Sequence, residues 1–143
     1  MNKDLGITAI NNFYQSYNDK TLSPLLALIA PNIAYHINHQ TERGKERFEK
    51  YMQDSLVYFD EKVSNIILAS SDDGKYVFAE FTFSGTYINT DPSLKIEATG
   101  QGYAFRAINR FTFNDNDQIS DVVCFYNEGE FVGHLSSVTS NEL

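Results

Sequence analysis

The sequence predicts an α+β roll, with three N-terminal helices packed on one concave face of a curved, mostly antiparallel sheet. Two observations carry this. Apolar residues recur at three- and four-residue spacing as far as Phe59, and from Glu61 onward the period changes to two. The stretch ATGQGYAFRAINRFTFNDNDQISDVVCFYN, Ala98 to Asn127, then reads as one long hairpin of two strands.

Taken in order, Ile7, Ile10, Phe13, Tyr14 and Tyr17 give a helix from about Asp4 to Asn18 with an aromatic-rich inner face. Ser23 before Pro24 is an N-cap and first-turn pair. Leu25, Leu26, Leu28 and Ile29 carry a second short helix that stops before Pro31. Ile33 to Asn38 alternates as a strand, with Ile33, Tyr35 and Ile37 on one face and His36 and Asn38 on the other. A polar turn ends at Gly44, and Phe48, Tyr51, Met52, Leu56 and Phe59 mark a third helix from about Lys45 to Phe59. Strands follow at about Lys62 to Ser70 and Tyr76 to Ile88, joined by the turn signal Asp73-Gly74, and Asn89 to Lys95 forms a loop. The expectation is one domain over 1–135, with a polar, aperiodic tail at 136–143 that is disordered.

In the hairpin, a loop at Asn114 to Asp117 sets Phe113 opposite Gln118. That register puts Asn109 beside Val122, Ala107 beside Cys124 and Phe105 beside Tyr126, with Arg110 opposite Asp121 as a cross-strand ion pair. Arg110 and Asp121 read either as a charge pair of the outer surface or as a catalytic pair. Ile119, Val123 and Phe125 alternate with Val122, Cys124 and Tyr126, so both faces of the last strand are apolar. A sheet with one wet face alternates with polar residues instead. A second copy of the chain is therefore expected on the outer face, as a two-fold homodimer.

A chain of 143 residues with 42% hydrophobic content suffices for one core without a covalent staple. The net charge of −8 repels phosphate backbones and anionic membranes, so no nucleic-acid or membrane partner is expected. The lone Cys124, set in VVCFY, reads as a small buried hydrophobe. No stretch reaches membrane-spanning length and no signal segment opens the chain, so a soluble, cytoplasmic protein is expected. His36 and His39 fall on opposite strand faces with no third ligand at suitable spacing, and neither a metal nor another cofactor is expected.

The helix-one segment FYQSYN, the strand YHIN, the GTY of the strand from Tyr76, the GQGY opening the hairpin and the FYN closing it resemble one group in their order and spacing. The chain is similar, over roughly Ile7 to Leu135, to the SnoaL-like, ketosteroid isomerase-related proteins of the nuclear transport factor two-like superfamily. The resemblance implies a cone-shaped roll, usually dimeric, around a pocket for a small, largely apolar or aromatic molecule. It also removes the obvious activity. Where a ketosteroid isomerase places its base, its helix-one tyrosine and its protonated aspartate, this chain has Asn38, Phe13 and Asn109. An amide has no useful basicity, and Phe13 donates no hydrogen bond, although Tyr14 or Tyr17 does with a small helix rotation.

Period-two reasoning puts His36 and Asn38 on one face, with Gln101, Tyr103, Asn109 and Tyr126 lining the same concavity. With Phe13 and Tyr17 these form the expected ligand site, and His36 is its candidate acid or base for isomerase, cyclase or hydrolase chemistry. The alternative is a non-catalytic dimeric binding or interaction module whose amides are satisfied within a filled core.

Overall fold

In a computed structural model that describes residues 1–136, the elements run α1 (Lys3–Asn18), α2 (Leu22–Leu26), β1 (Ile29–Ile37), β2 (Gln40–Arg43), α3 (Lys45–Tyr58), β3 (Phe59–Ser70), β4 (Tyr76–Tyr87), β5 (Gly102–Phe113), β6 (Ile119–Tyr126) and α4 (Glu128–Ser136). The six strands form one sheet in the order β2-β1-β6-β5-β4-β3. Only β1 and β6 run parallel; the other neighbours are antiparallel. The α+β roll expected from the sequence is the observed architecture.

The Asn2 carboxamide caps α1 by accepting from the Leu5 amide at 2.9 Å. Ile10, Phe13 and Tyr14 of α1 and Phe48 and Met52 of α3 then pack into the concave face against Val77, Phe81 and Phe111. Asn18 fixes the far end of α1 to β3. Its carboxamide donates to the Val63 carbonyl at 2.9 Å and accepts from the Val63 amide at 2.7 Å, reproducing a strand rung at a sheet edge.

Several expectations need correction. The second helix ends at Leu26, and β1 begins at Ile29 in spite of Pro31. Pro31 is exposed and falls where the pairing to β6 is irregular, between Ile29 and Ala34, so no ladder donor is lost. The polar turn before Gly44 contains β2, a hairpin partner of β1. A fourth helix, α4, follows β6 and packs on the sheet. The Asn127 side chain accepts from the Glu130 amide at 2.9 Å at its start, and Phe131 and Leu135 pack on Phe59, Tyr87, Tyr103 and Phe105. Ser136 belongs to this helix; the rest of the expected tail, residues 137–143, lies outside the described residues.

The hairpin register differs from the expected one by two. Asn114 through Gln118 form a five-residue loop, so Phe113 pairs with Ile119, and an irregularity at Ser120 adds one more position. The Asn114 carboxamide drives this, accepting from the Asn116 and Gln118 amides at 2.9 and 3.0 Å. Asn109 consequently pairs with Cys124, Arg110 with Val123 and Ala107 with Tyr126. A shift of two keeps each side chain on its face. The Arg110–Asp121 ion pair therefore survives as a diagonal contact at 3.3 Å. Ile119 is the exception, because the irregularity turns it inward to full burial.

Candidate functional site

β3 places a carboxylate inside the cone. Glu61 and Val63 alternate inward, and the Glu61 rung continues across the sheet through Gly85 of β4 to Tyr103 of β5. A Cβ on Gly85 would lie 2.8 Å from the Tyr103 hydroxyl and 2.9 Å from Glu61 Cα. The missing side chain is what lets the Tyr103 phenol lie across β4 and donate to Glu61 Oε1 at 2.7 Å. Tyr17, held over β3 by the neighbouring Asn18 clamp, donates to the other carboxylate oxygen.

Burial is the largest influence on Glu61 and pushes its pKa above the usual carboxylate value, against the lowering effect of the two phenols and of Lys20. Lys20 itself pairs with the adjacent Asp60. The phenols feel the reverse. Burial and the neighbouring carboxylate push Tyr17 and Tyr103 well up, so both stay protonated donors. A carboxyl raised toward neutrality between two fixed donors has the properties of a general acid or base.

Glu61 borders a cavity of about 100 Å³ between α1, α3 and the sheet. Its walls are Phe13, Tyr17, Tyr35, Phe48, Tyr51 and Phe83, closed below by Asn109, Val122 and Cys124. Tyr35, Ile37 and Tyr51 are shared with an outer groove of about 320 Å³, rimmed by Gln40, Glu42, Arg47, Lys50 and Asp54. In that rim Arg47 pairs with Glu42 at 2.7 Å and Lys50 with Asp54 at 2.9 Å. The interior is thus apolar and aromatic with one acid, and the mouth is polar.

Of the expected residues, Phe13, Tyr17 and Asn109 line this cavity, and Tyr103 stands behind Glu61. Phe13 packs edge-on to Phe111, with ring centroids 5.1 Å apart. It is Tyr14, one position along α1, whose hydroxyl meets Asn109 Nδ2 at 2.9 Å. Asn38 escapes the strand alternation at a left-handed φ of 53°, and neither it nor Tyr126 lines the cavity. Gln101 lies outside the lining. Its amide donates to the carbonyls of Glu97 and Leu135, at 2.8 and 3.0 Å, tying the end of α4 to the loop before β5.

His36 reaches the edge of the cavity, but its ring is engaged elsewhere. Nδ1 lies 2.9 Å from Thr41 Oγ1 and Nε2 lies 3.0 Å from Asp121 Oδ2, and neither partner lines the cavity. The expected facing of β1 is therefore reversed. Tyr35 packs against Phe48 of α3 at 5.3 Å, so the apolar face of the strand turns inward and His36 joins the Asp121–Arg110 pair on the outer face. Glu61 and Tyr51 are polar cavity residues that sequence reading passed over, whereas Tyr14 is the donor it offered in place of Phe13. The signals were an acid in phase with an apolar strand residue, Glu61 with Val63, and a glycine inside the strand pattern at GTY.

Comparisons with known proteins agree with this fold. Residues 10–122 match the family model described as the SnoaL-like domain. No curated protein matches. Among solved structures, a candidate polyketide cyclase from Xanthomonas campestris pv. campestris is 27% identical with a TM-score of 0.89, covering 95% of this chain and 100% of that one. One from Pseudomonas putida KT2440 is 28% identical with a TM-score of 0.85, covering 90% and 96%. A third, from Silicibacter sp., shares the fold at 24% identity and a TM-score of 0.87, covering 96% and 99%.

Proposed function

Since the chain belongs to the SnoaL-like family, we propose that it binds a small, largely apolar molecule in the cone and exchanges a proton with it through Glu61. The observation that carries this reading is the half-buried Glu61 carboxylate held by Tyr17 and Tyr103 at the wall of an aromatic cavity. Isomerase and cyclase steps both begin by removing a proton from carbon beside a carbonyl, and a carboxylate with a raised pKa is suited to that. The two candidate polyketide cyclases at 27% and 28% identity lend the cyclase form support. His36, engaged on the outer face, has no part in it. The test is proton–deuterium exchange at the α-carbon of 2-hydroxycyclohexanone, followed by NMR. Wild type accelerates the exchange, and Glu61→Gln lowers that acceleration by about 100-fold or more. Equal rates in the two proteins would refute the role of Glu61.

A non-catalytic binding module is the second reading, and the cavity volume favours it. About 100 Å³ is well below the roughly 300–1,000 Å³ of sites that enclose a drug-sized ligand. In that reading the Glu61 cluster only fixes α1 to the sheet.

We further propose that the outer sheet face joins two copies of the chain. Ile67, Phe78, Ile108 and Phe125 are exposed there, Phe125 by 59%. An exposed apolar patch of this kind fits a self-complementary interface. Ile119, facing the core, does not contribute.

A further inference from the structure

We propose that Asn109 anchors the ligand, and that its carbonyl oxygen selects a molecule whose buried end carries a neutral hydroxyl over one that ends in a carbonyl or an ether. The proposal rests on reading the cavity as a ligand site. It reverses the polarity that a carbonyl-binding site needs at this position.

Asn109 is the one buried polar residue among the described residues, at 7% exposure. Its carboxamide is half used. Nδ2 donates to the Tyr14 hydroxyl at 2.9 Å, whereas Oδ1 is buried without any partner, in a residue that lines the cavity together with Val122 and Cys124. Val122 and Cys124 give Oδ1 no strong donor. Burial pushes the Cys124 thiol up to about 12, so it stays protonated and donates only weakly. A buried acceptor in this state is costly, and native structures rarely leave one unanswered.

The Tyr14 oxygen accepts from Asn109, so the Tyr14 proton remains available to another acceptor. The pair therefore presents one acceptor and one donor side by side. A hydroxyl answers both, giving its proton to Asn109 Oδ1 and receiving one from Tyr14. A ketone or ether oxygen answers Tyr14 alone and sets its own lone pairs against Oδ1. The carboxylate of the cavity, Glu61, already accepts from Tyr17 and Tyr103. Size sets a second limit. An apolar cavity of about 150 Å³ holds benzene. One of about 100 Å³ holds part of a ring, whose far edge extends past the shared Tyr35, Ile37 and Tyr51 into the outer groove. The ligand class is thus a single-ring phenol, enol or cyclic alcohol, with further substituents at the groove end.

The test measures binding of phenol, anisole and cyclohexanone to the intact protein by calorimetry. Wild type is expected to bind phenol about tenfold tighter than anisole or cyclohexanone. Asn109→Leu, with similar volume and no acceptor, is expected to bind phenol and anisole alike. The wild-type series decides the matter without any variant. Anisole or cyclohexanone binding as tightly as phenol would overturn the proposal, as would a preference unchanged in folded Asn109→Leu. Those results leave the role of Glu61 standing. Binding of none of the three probes would overturn the ligand-site reading together with this one, and loss of exchange activity in Glu61→Gln with no phenol preference would overturn this one alone.

Discussion

Gly85→Ala tests how the acid is held. The added Cβ would lie 2.4 Å from the Asp60 carbonyl oxygen, 2.8 Å from the Tyr103 hydroxyl and 2.9 Å from Glu61 Cα. Carbon–oxygen contacts between strands normally sit at about 3.3–3.6 Å, so the Asp60 contact alone is about 1 Å too short. Either the β3 and β4 backbones separate at this rung or the Tyr103 ring lifts off Glu61. Overpacking of this kind costs about 1–3 kcal/mol. Loss of the 2.7 Å bond from Tyr103 to the carboxylate costs about 1.5–3 kcal/mol more where the ring is the part that moves. Against this, alanine restricts the unfolded chain and returns about 0.4–1 kcal/mol. The net expectation is a loss of about 2–4 kcal/mol, lowering the urea midpoint by about 1–2 M for an m-value near 2 kcal/mol/M. The double variant with Tyr103→Phe separates the two contributions. Without the hydroxyl, the alanine meets only backbone, so the two substitutions should couple by about 1 kcal/mol or more. A Gly85→Ala protein within about 0.5 kcal/mol of wild type, or additive behaviour in the double variant, would refute the crossing arrangement.

Four further outcomes follow from the same structure. Glu61 has its folded pKa above its unfolded one, so the folded state holds the proton longer as pH rises; its contribution is complete below the unfolded value and is lost on passing the folded value. The stability of wild type relative to Glu61→Gln should therefore fall in urea titrations as pH rises above the usual carboxylate range, and a flat difference would contradict the shift. Phe125→Glu should convert a dimer to a folded monomer in sedimentation at micromolar concentration, while a wild type that is already monomeric would end the interface proposal. Asn127→Ala removes the cap on α4 and should cost about 1 kcal/mol, read as a lower melting temperature with the β-sheet signal intact. With its thiol pushed from 9.0 up to about 12, Cys124 should carry about a thousand-fold less thiolate than a free cysteine, so alkylation in the folded protein should be correspondingly slow beside a urea-unfolded control.

The fold was legible because its evidence is periodic. Alternation in β3 to β6 and the spacing of Ile10, Phe13 and Tyr14 each repeat several times, and an error of one position is corrected by the next repeat. The register of the hairpin depended instead on one side chain. Asn114 accepts two amide bonds and stretches the loop to five residues, and no pattern outside the loop reports that. The helix α4 was legible and overlooked, with Asn127 as its cap and Glu128 and Glu130 in its first turn. His36 reaches the cavity edge, yet its ring nitrogens face Thr41 and Asp121, so polarity alone does not mark the pocket. In β1 the inward residues are Tyr35 and Ile37, and the polar face belongs to the outer surface with Asp121 and Thr41.

The same reasoning explains why the acid was missed while its partners were found. Tyr17, Tyr103 and Asn109 are singled out by chemistry that stands apart from their apolar surroundings, but Glu61 sits in FDEKV among ordinary solvent-facing charges. Its neighbours Asp60 and Lys62 are exposed, and only the shared phase with Val63 distinguishes it. What gives that phase meaning lies two strands away, in Gly85 and in the phenol that crosses it. A carboxylate held this way draws its properties from the sheet rather than from its own segment. The amides at Asn38 and Asn109 therefore do not make the cone chemically inert. Among the described residues they leave Glu61 as the one carboxylate bordering the cavity, with Asn109 Oδ1 unpartnered in its wall.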